Sequence, residues 1–349
     1  MRGRSALVLI VICAAFAAYF LNRQGSPATG PDQGGSNPTS AGPGTFSSIS
    51  PDLVLVNSTL GQQQEQAAGT GVVLTSTGEV LTNNHVIEGA TAVQVTDVGN
   101  GRTYTATVAG YDRSHDVALL QLQAAQGLAT APLDTSTQLS VGQQVASVGN
   151  AGGTGSLTTA PGTITALNQS ITASDQASGS SEQLTGLIQV KANVRPGDSG
   201  GPLVATSGKV IGITTAAGST YQFRGGSSTA GFAIPIARAL AIGKQIAAGT
   251  SSATVHIGPT AQLGVEVGDA QSGGGAAVIG VLPGEPAQAA GLASGDLITS
   301  FGGTAVDSPT TLVTLVDRDR PGQSVPVTWT DQFGQSRSAT VTLGTGPAG

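Results

Sequence analysis

The chain has 349 residues, enough for two ordinary domains, and 39% of them are apolar, which allows sizeable hydrophobic cores. Only 10% are charged, the formal net charge is −6, and no basic cluster is present, which argues against a nucleic-acid-binding protein. The single cysteine, Cys13, lies in the apolar N-terminal stretch. This excludes a disulfide within the rest of the chain and any cysteine-based metal site, and we expect neither metal nor cofactor.

The N-terminus carries a predicted targeting segment, residues 1–22. Basic residues precede an uncharged apolar run from Ala6 to Leu21, which is near the short limit for a membrane span. A signal peptide cleaved after Ala17 is one interpretation. A single-pass anchor is favoured, because the run stays apolar beyond that site and its basic flank places the bulk of the chain outside the cytoplasm. Residues 23–48, rich in Gly, Pro and Ser, predict a flexible spacer.

Short apolar runs interrupted by Gly, Asn and Asp characterise residues 49–256. Val117–Leu122 and Lys209–Ile213 are typical, and their length and β-branched content predict strands in a barrel or sandwich. A helix is predicted from Pro235 to Ala247. Residues 257–349 are predicted to form a second unit of strands around two short helices, one near Pro286–Ala290 and one from Pro309 to Arg318 that Ser308 would cap.

A candidate nucleophile is Ser199, in the run Arg195–Pro202. A serine hydroxyl needs a nearby base, an acid that orients the base, and donors for the developing oxyanion. Glycines flank the serine and allow a sharp backbone turn, which makes the N–H groups of Gly197 and Ser199 the predicted oxyanion donors. The five residues Gly197–Gly201 are also consistent with an ordinary turn. Whether Ser199 is a nucleophile therefore depends on finding a matching base and acid elsewhere in the chain.

The base must come from three histidines. His256 lies at the junction between the two units, and His115 directly precedes Asp116, a poor arrangement for a pair that must face each other. His85 follows an apparent strand, at a boundary where functional side chains are commonly presented. Asp116 precedes an apolar strand and is the predicted acid, with Asp112 as the alternative.

The order His85, Asp116, Ser199 distinguishes two hydrolase folds. In α/β-hydrolases the serine comes first and its turn opens a helix, whereas here Pro202 and an apolar run follow the serine. The order agrees with chymotrypsin-like double barrels and disfavours an α/β-hydrolase esterase.

Several motifs together resemble the HtrA (Deg) family of trypsin-like serine proteases, of the bacterial membrane-anchored type. The resemblance covers residues 56–344, and its motifs are Gly69–Leu74, Leu81–Ile87, His115–Leu120, Arg195–Pro202 and Ala230–Pro235. Within the C-terminal unit, Gln262–Val265, Pro283–Leu292 and Gly295–Ile298 resemble a PDZ domain.

The resemblance implies a mainly β chain, with a chymotrypsin-like double β-barrel at 49–256 and a PDZ domain at 257–349. It implies a serine endopeptidase that cleaves unfolded envelope proteins or a regulatory substrate through an acyl-enzyme, and that assembles as a homotrimer. The alternative is a latent scaffold that only captures peptides.

Two sets of binding residues also follow from the resemblance. Asn193, Thr214, Thr215 and Ala216 would line the primary substrate pocket, which has no acidic residue and therefore favours small or medium apolar side chains. Leu263, Gly264 and Val265 would form the loop of the PDZ domain that binds the terminal carboxylate of a peptide.

One residue departs from the family pattern. HtrA members usually carry Asn before the serine, where this chain has Asp198, as trypsin-type enzymes do. No activation site of the Ile-Val-Gly-Gly type precedes the first barrel in this sequence, so Asp198 needs another partner, and Arg195 is the hypothesised one.

Overall fold

The computed structural model describes residues 52–60, 65–174, 181–217, 230–270 and 274–348. The predicted targeting segment and spacer therefore lie outside the described residues. In the part of the chain that is described, no helix is long and apolar enough to cross a bilayer.

The first barrel is built from antiparallel strands near the N-terminal end of the described chain. Its elements are β1 Leu53–Leu60, β2 Glu65–Val73, β3 Glu79–Thr82, α1 Asn84–Ile87, β4 Ala90–Asp97, β5 Thr103–Asp112 and β6 Val117–Leu122. The strand order is β5-β4-β1-β2-β3-β6, and pairing of β5 with β6 closes the barrel around Val, Leu and Ile side chains. The helix α1 is a single turn that follows β3, and it buries Val86 and Ile87 in the core of the first barrel while His85 stays partly exposed.

The second barrel is also antiparallel and carries the predicted nucleophile. Its strands are β7 Gln144–Gly149, β8 Thr158–Ser174, β9 Ser181–Ala192, β10 Pro202–Ala205, β11 Val210–Ala217 and β12 Ala230–Pro235. They close in the order β10-β11-β12-β9-β8-β7. Ser199 lies in the turn between β9 and β10, and β11 runs beside it through the pairing of Pro202 with Ile213. The predicted double β-barrel is confirmed.

An apolar seam joins the two barrels. One continuous core cluster contains Leu81 and Leu119 of the first barrel together with Val204 and Phe232 of the second. The helix α2, Ile236–Ala247, covers this seam with a buried face of aliphatic side chains. Burial of apolar surface therefore holds the two barrels against each other.

The C-terminal domain is a separate sheet with its own core, which includes Phe301 and Trp329. Its elements are β14 Ala261–Gln262, β15 Val265–Asp269, β16 Ala276–Val281, α3 Pro286–Ala290, β17 Leu297–Phe301, β18 Thr304–Ala305, α4 Pro309–Val316, β19 Ser324–Thr330, β20 Ser336–Thr342 and β21 Gly344–Thr345. The sheet order is β15-β16-β17-β19-β20. Both predicted helices are present, and Ser308 caps α4 as its sequence predicts, since its hydroxyl accepts the N–H of Thr311 at 3.2 Å.

A polar cluster connects the C-terminal domain to the first barrel. The Tyr111 hydroxyl on β5 donates to Asp317 Oδ1 at 2.5 Å, and Asp317 follows α4 directly. The His256 ring stacks on Tyr111 at 4.9 Å and its Nδ1 lies 2.7 Å from the Asp317 carbonyl oxygen. Burial raises the pKa of Tyr111 further above its usual 10, so the phenol stays protonated and donates.

His256 lies in β13, Val255–Ile257, which pairs with β5 of the first barrel. The predicted boundary between residues 256 and 257 therefore falls inside a strand that belongs to the first barrel's sheet.

Replacing Tyr111 with Phe should weaken docking of the C-terminal domain by about 1–2 kcal/mol, because it leaves a carboxylate without its donor. Docking adds to the stability of the docked domain, so unfolding followed by the fluorescence of Trp329 should shift to lower temperature. Trp329 is the chain's single tryptophan, and it is buried in the C-terminal domain.

Tyr104→Phe is the matched control. The Tyr104 hydroxyl accepts a hydrogen bond from Asn100 at 3.1 Å, a contact within the first barrel. An equal shift of the Trp329 transition in both variants would contradict a docking role for Tyr111.

Candidate active site

His85 and Asp116 meet at the rim of the first barrel. His85 Nδ1 lies 3.0 Å from Asp116 Oδ1 and 2.9 Å from Oδ2, and the His85 backbone N–H donates to Oδ1 at 3.0 Å. The Asp116 side chain is 6% exposed and the His85 side chain 23%. An imidazole whose Nδ1 faces a buried carboxylate is fixed in one tautomer and has its basic nitrogen at Nε2.

The alternative His–Asp pair forms elsewhere in the same barrel. His115 Nδ1 lies 2.8 Å from Asp112 Oδ2, and the Asp112 side chain also caps the short 3₁₀ turn Arg113–His115. That turn ends at Asp116, whose φ of 53° is in the left-handed region. Asp112 thus stabilises the turn that positions Asp116 next to His85.

Ser199 lies between two consecutive tight turns. The Asp198 N–H donates to Arg195 O at 3.0 Å, and the Gly201 N–H donates to Asp198 O at 3.0 Å. Gly197 and Gly200, at the third position of each turn, have φ of 96° and 81°, as type II turns require.

Close packing also demands glycine at both positions. A Cβ on Gly200 would overlap the carbonyl oxygen of Thr70, and one on Gly197 would overlap that of Asn150. A larger residue at Gly200 would therefore push the serine turn away from Thr70 of the first barrel, and one at Gly197 would push it away from the loop that follows β7.

The two peptide groups that contain the N–H of Gly197 and the N–H of Ser199 are held by their carbonyls. Pro196 O accepts from the Gly152 N–H at 2.7 Å, and Asp198 O accepts from Gly201. In a trans peptide the N–H points opposite to the carbonyl. Among the described residues no acceptor is found for the N–H of Gly197 or of Ser199. Two neighbouring N–H groups with no protein acceptor are what an oxyanion-binding site needs.

Thr70, on β2 of the first barrel, holds the serine turn from the other side. Its N–H donates to Ser199 O at 2.8 Å, and its hydroxyl donates to Gly197 O at 2.8 Å while accepting the Asn150 N–H at 2.9 Å. Thr70 is fully buried. The sequence did not identify Thr70 as a functional residue. Its one distinguishing feature there is a polar side chain between two glycines, Gly69 and Gly71.

Thr215 connects the serine to the acid. Its hydroxyl donates to Asp116 Oδ2, and its carbonyl oxygen accepts the Ser199 hydroxyl at 3.4 Å. The fold therefore brings His85, Asp116 and Ser199 to one rim between the barrels. Asp116 and Ser199 each make a hydrogen bond to Thr215.

The other predicted pocket residues lie in different surroundings. The buried Thr214 hydroxyl is 2.9 Å from the Ser147 hydroxyl, beneath the serine turn. Asn193 is exposed, and Ala216 pairs with Phe232 between β11 and β12. The side chains of Thr214 and Thr215 are thus engaged within the protein, and a pocket formed by these four residues stays a prediction.

Asp198 is buried with its charge only partly satisfied. It is 1% exposed; its Oδ2 accepts the Arg195 backbone N–H at 2.9 Å, while Oδ1 has no hydrogen-bond partner in the described part of the chain. Burial raises the pKa of Asp198 to about 6, against a smaller lowering by Arg195. Arg195 is therefore a partner through its backbone N–H, where the sequence suggested an ion pair.

The loop Leu263–Val265 borders an apolar groove of the C-terminal domain. Leu263 O accepts from the Ala287 N–H at 2.8 Å, and Gly264 O from the Leu282 N–H at 3.0 Å. The groove continues between β15 and α4, and its apolar walls include Val267, Leu282, Leu312, Val313 and Val316. Glu88 and Arg113 of the first barrel line the same groove.

Comparison with protein families gives two matches. A trypsin-like peptidase domain matches residues 69–213 and a PDZ domain matches residues 261–341. These ranges contain the three catalytic candidates and most of the apolar groove, respectively.

Two curated relatives of this chain are named as serine proteases, in agreement with the trypsin-like match. The chain is 32% identical to the serine protease PepD of Mycobacterium tuberculosis over 85% of this chain and 64% of that one. It is also 32% identical to a probable periplasmic serine endoprotease, DegP-like, of Halomonas elongata over 82% and 58% of the two chains. The chain thus spans about 58–64% of the length of these relatives. A solved serine endoprotease from Yersinia pestis aligns with 27% identity over 89% of this chain and 99% of that one, with a TM-score of 0.49.

Replacing Asp198 with Asn should stabilise the protein near neutral pH. The folded pKa of about 6 exceeds the usual 3.8, so the folded state keeps a proton that the unfolded state releases between these pH values. The contribution of Asp198 to the free energy of unfolding is therefore fully present below about pH 4. It falls as the pH rises to about 6 and stays low at higher pH. Asn keeps an acceptor for the Arg195 N–H and carries no charge.

Urea unfolding at about pH 8 should show a gain of roughly 2–3 kcal/mol for Asp198→Asn, at about 1.4 kcal/mol per pKa unit, and little gain near pH 4. Asp134→Asn is the control of opposite sign, because hydrogen bonds from Thr137 and Ser136 lower the pKa of exposed Asp134. A gain for Asp198→Asn that is independent of pH would contradict the buried-charge explanation.

Proposed function

We propose that this chain, which belongs to the HtrA family of trypsin-like serine proteases with a PDZ domain, is an endopeptidase whose nucleophile is Ser199. The observation that carries the proposal is the contact of His85 Nδ1 with the buried carboxylate of Asp116, beside a serine turn with two N–H groups available. Polypeptides are the proposed substrates, because the site is arranged to attack an acyl carbon and the similar chain of Halomonas elongata is described as a probable serine endoprotease.

In the proposed reaction, Ser199 Oγ attacks the scissile carbonyl carbon while His85 takes the hydroxyl proton at Nε2. Asp116 keeps the ring oriented and stabilises its cationic form. The N–H groups of Gly197 and Ser199 bind the oxyanion of the tetrahedral intermediate.

Collapse of this intermediate breaks the C–N bond. His85 then gives its proton to the leaving amine, and an acyl ester remains on Ser199. Water attacks the ester with His85 again as the base, which releases the acid and restores the serine.

Ser199→Ala and His85→Gln should each reduce kcat on an unfolded protein substrate by several powers of ten, since members of such a triad act as a unit. Mass spectrometry should place a fluorophosphonate on Ser199 of the wild-type protein.

His115→Gln is the matched control for the base. His115 contacts Asp112 at 2.8 Å, nearly the same distance as the His85–Asp116 pair, and it should be dispensable for labelling. Wild-type protein that is folded but is not labelled at Ser199 would contradict the proposal and favour the peptide-binding scaffold.

We propose that the groove beside β15 binds the C-terminal residues of polypeptides. β15 is an edge strand of its sheet, so an added peptide strand can pair with its backbone. The apolar walls of the groove suit an apolar final side chain, and the loop Leu263–Val265 lies where its carboxylate would be bound.

Val313→Glu should weaken binding of an apolar C-terminal peptide at least about tenfold, because it places a negative charge in a groove that receives a carboxylate. Thr314→Glu is the control, since Thr314 is the next residue of α4 and lies on its exposed face. The measurement is a fluorescence-anisotropy titration with a labelled peptide. Equal affinity for Val313→Glu and wild-type protein would contradict binding in this groove.

We further propose an extracytoplasmic location, supported by the description of the Halomonas elongata relative as periplasmic. Tethering by residues 1–22 and assembly as a homotrimer are part of the same proposal. Membrane fractionation of the full chain and light scattering of its detergent extract test these two features separately.

A further inference from the structure

We infer that Asn83 is a positioning residue that fixes the acid and the nucleophile of this site relative to each other. The inference rests on the proposed function of His85, Asp116 and Ser199. The evidence for it is that the side-chain amide of Asn83 is buried and makes two hydrogen bonds, one to the segment of the acid and one to the segment of the nucleophile.

Asn83 directly precedes the single-turn helix α1 and is fully buried, at 0% exposure. An asparagine in this position ordinarily caps the helix with its side chain. Here the Asn83 side chain makes no capping hydrogen bond to α1. Local helix capping therefore does not account for an amide at this position.

The two ends of the amide bind different segments. Nδ2 donates to Asp116 O at 2.8 Å, which joins residues 33 positions apart. Oδ1 accepts the Gly200 N–H at 2.7 Å, which joins residues 117 positions apart and crosses from the first barrel to the second. Gly200 N–H also contacts Thr214 O at 2.9 Å, so the Asn83 oxygen provides the shorter of two acceptors.

Both bonded peptide groups adjoin catalytic candidates. Asp116 has left-handed backbone dihedrals, with φ of 53°, a region that non-glycine residues adopt uncommonly. The donor of Asn83 holds the carbonyl of this residue. Its acceptor holds the peptide that follows Ser199, within the turn that Gly200 makes possible.

The chemistry of the amide matters more than its size. A neutral amide offers a donor and an acceptor at once, whereas an ionised carboxylate offers only acceptors. In Asn83→Asp, a carboxylate oxygen would face Asp116 O with no proton between them. Because both contacts are buried, no bulk water replaces the missing donor.

Asn83→Asp should lower kcat, and the rate constant of Ser199 phosphonylation, by about 10- to 100-fold near pH 8 with KM little changed, as expected for misplaced catalytic groups. The labelled fraction at completion should equal that of the wild-type protein, because it counts folded sites.

The pH dependence of this loss separates a missing donor from a change of shape. Lowering the pH should narrow the ratio of the wild-type rate to the Asn83→Asp rate, because protonation of the introduced carboxylate supplies a donor for Asp116 O again. The introduced charge would also lie near Asp116 and His85, so Asn84→Asp, which adds a carboxylate at the next residue, is measured over the same pH range, and its ratio to the wild-type rate should not narrow. A ratio that widens on acidification would contradict the missing-donor explanation.

Asn84→Asp is the matched control. Asn84 is the neighbouring buried amide, and its Oδ1 has no hydrogen-bond partner among the described residues. This variant introduces a carboxylate into the same turn and should retain a rate close to wild type. Equal slowing by Asn83→Asp and Asn84→Asp, or an undiminished rate in Asn83→Asp, would overturn the inference.

If Asn83→Asp does not fold, Asn83→Ser is used in its place. The serine hydroxyl is too short to contact both Asp116 O and the Gly200 N–H. It should lose kcat with KM retained, and wild-type labelling rates in this variant would overturn the inference. Absence of Ser199 labelling in wild-type protein would instead contradict the proposed function itself, so the two failures are distinguishable.

Discussion

The hydrogen bonds that cross between the two barrels determine whether this chain has a site at all. His85 and Asp116 belong to the first barrel and Ser199 to the second, so no single sheet fixes their distance. Apolar packing under α2 brings the barrels together, but it is non-directional. Orientation comes from buried polar contacts, in which Thr70 holds the serine turn and Thr215 binds the acid.

These contacts can orient the site because the buried carbonyls of the serine turn each accept a hydrogen bond from a defined donor. The carbonyls of Pro196, Gly197, Asp198 and Ser199 all accept hydrogen bonds, while the N–H groups of Gly197 and Ser199 have no acceptor among the described residues. Such preorganisation is what makes a site complementary to an oxyanion, since no dipole has to reorient during the reaction. Within the serine turn, Asp198 is the exception, because burial leaves its Oδ1 without a hydrogen-bond partner among the described residues.

The sequence predicts the architecture well because strands and turns leave local signals. Pro309 after Ser308 predicts the start of α4, and the glycines around Ser199 predict tight turns at the nucleophile. The order of His85, Asp116 and Ser199 also selects the double barrel, because chain order differs between hydrolase folds. Residues whose roles depend on distant partners could not be predicted. Asn83 resembles a helix cap in sequence, and its partners lie 33 and 117 positions away.

Two further residues show why local patterns are not enough. Thr215 resembles a pocket wall, and only the fold shows that its hydroxyl binds Asp116. Arg195 resembles an ion-pair partner of Asp198 but contributes its backbone N–H, because the tight turn places that group beside the carboxylate. A crystal structure with a peptide boronic acid bound tests the proposed site most directly. We expect a covalent bond from boron to Ser199 Oγ, with one boron oxygen about 2.7–3.1 Å from the backbone nitrogens of both Gly197 and Ser199. A boronate bonded elsewhere, or a boron oxygen that neither N–H approaches, would contradict this site.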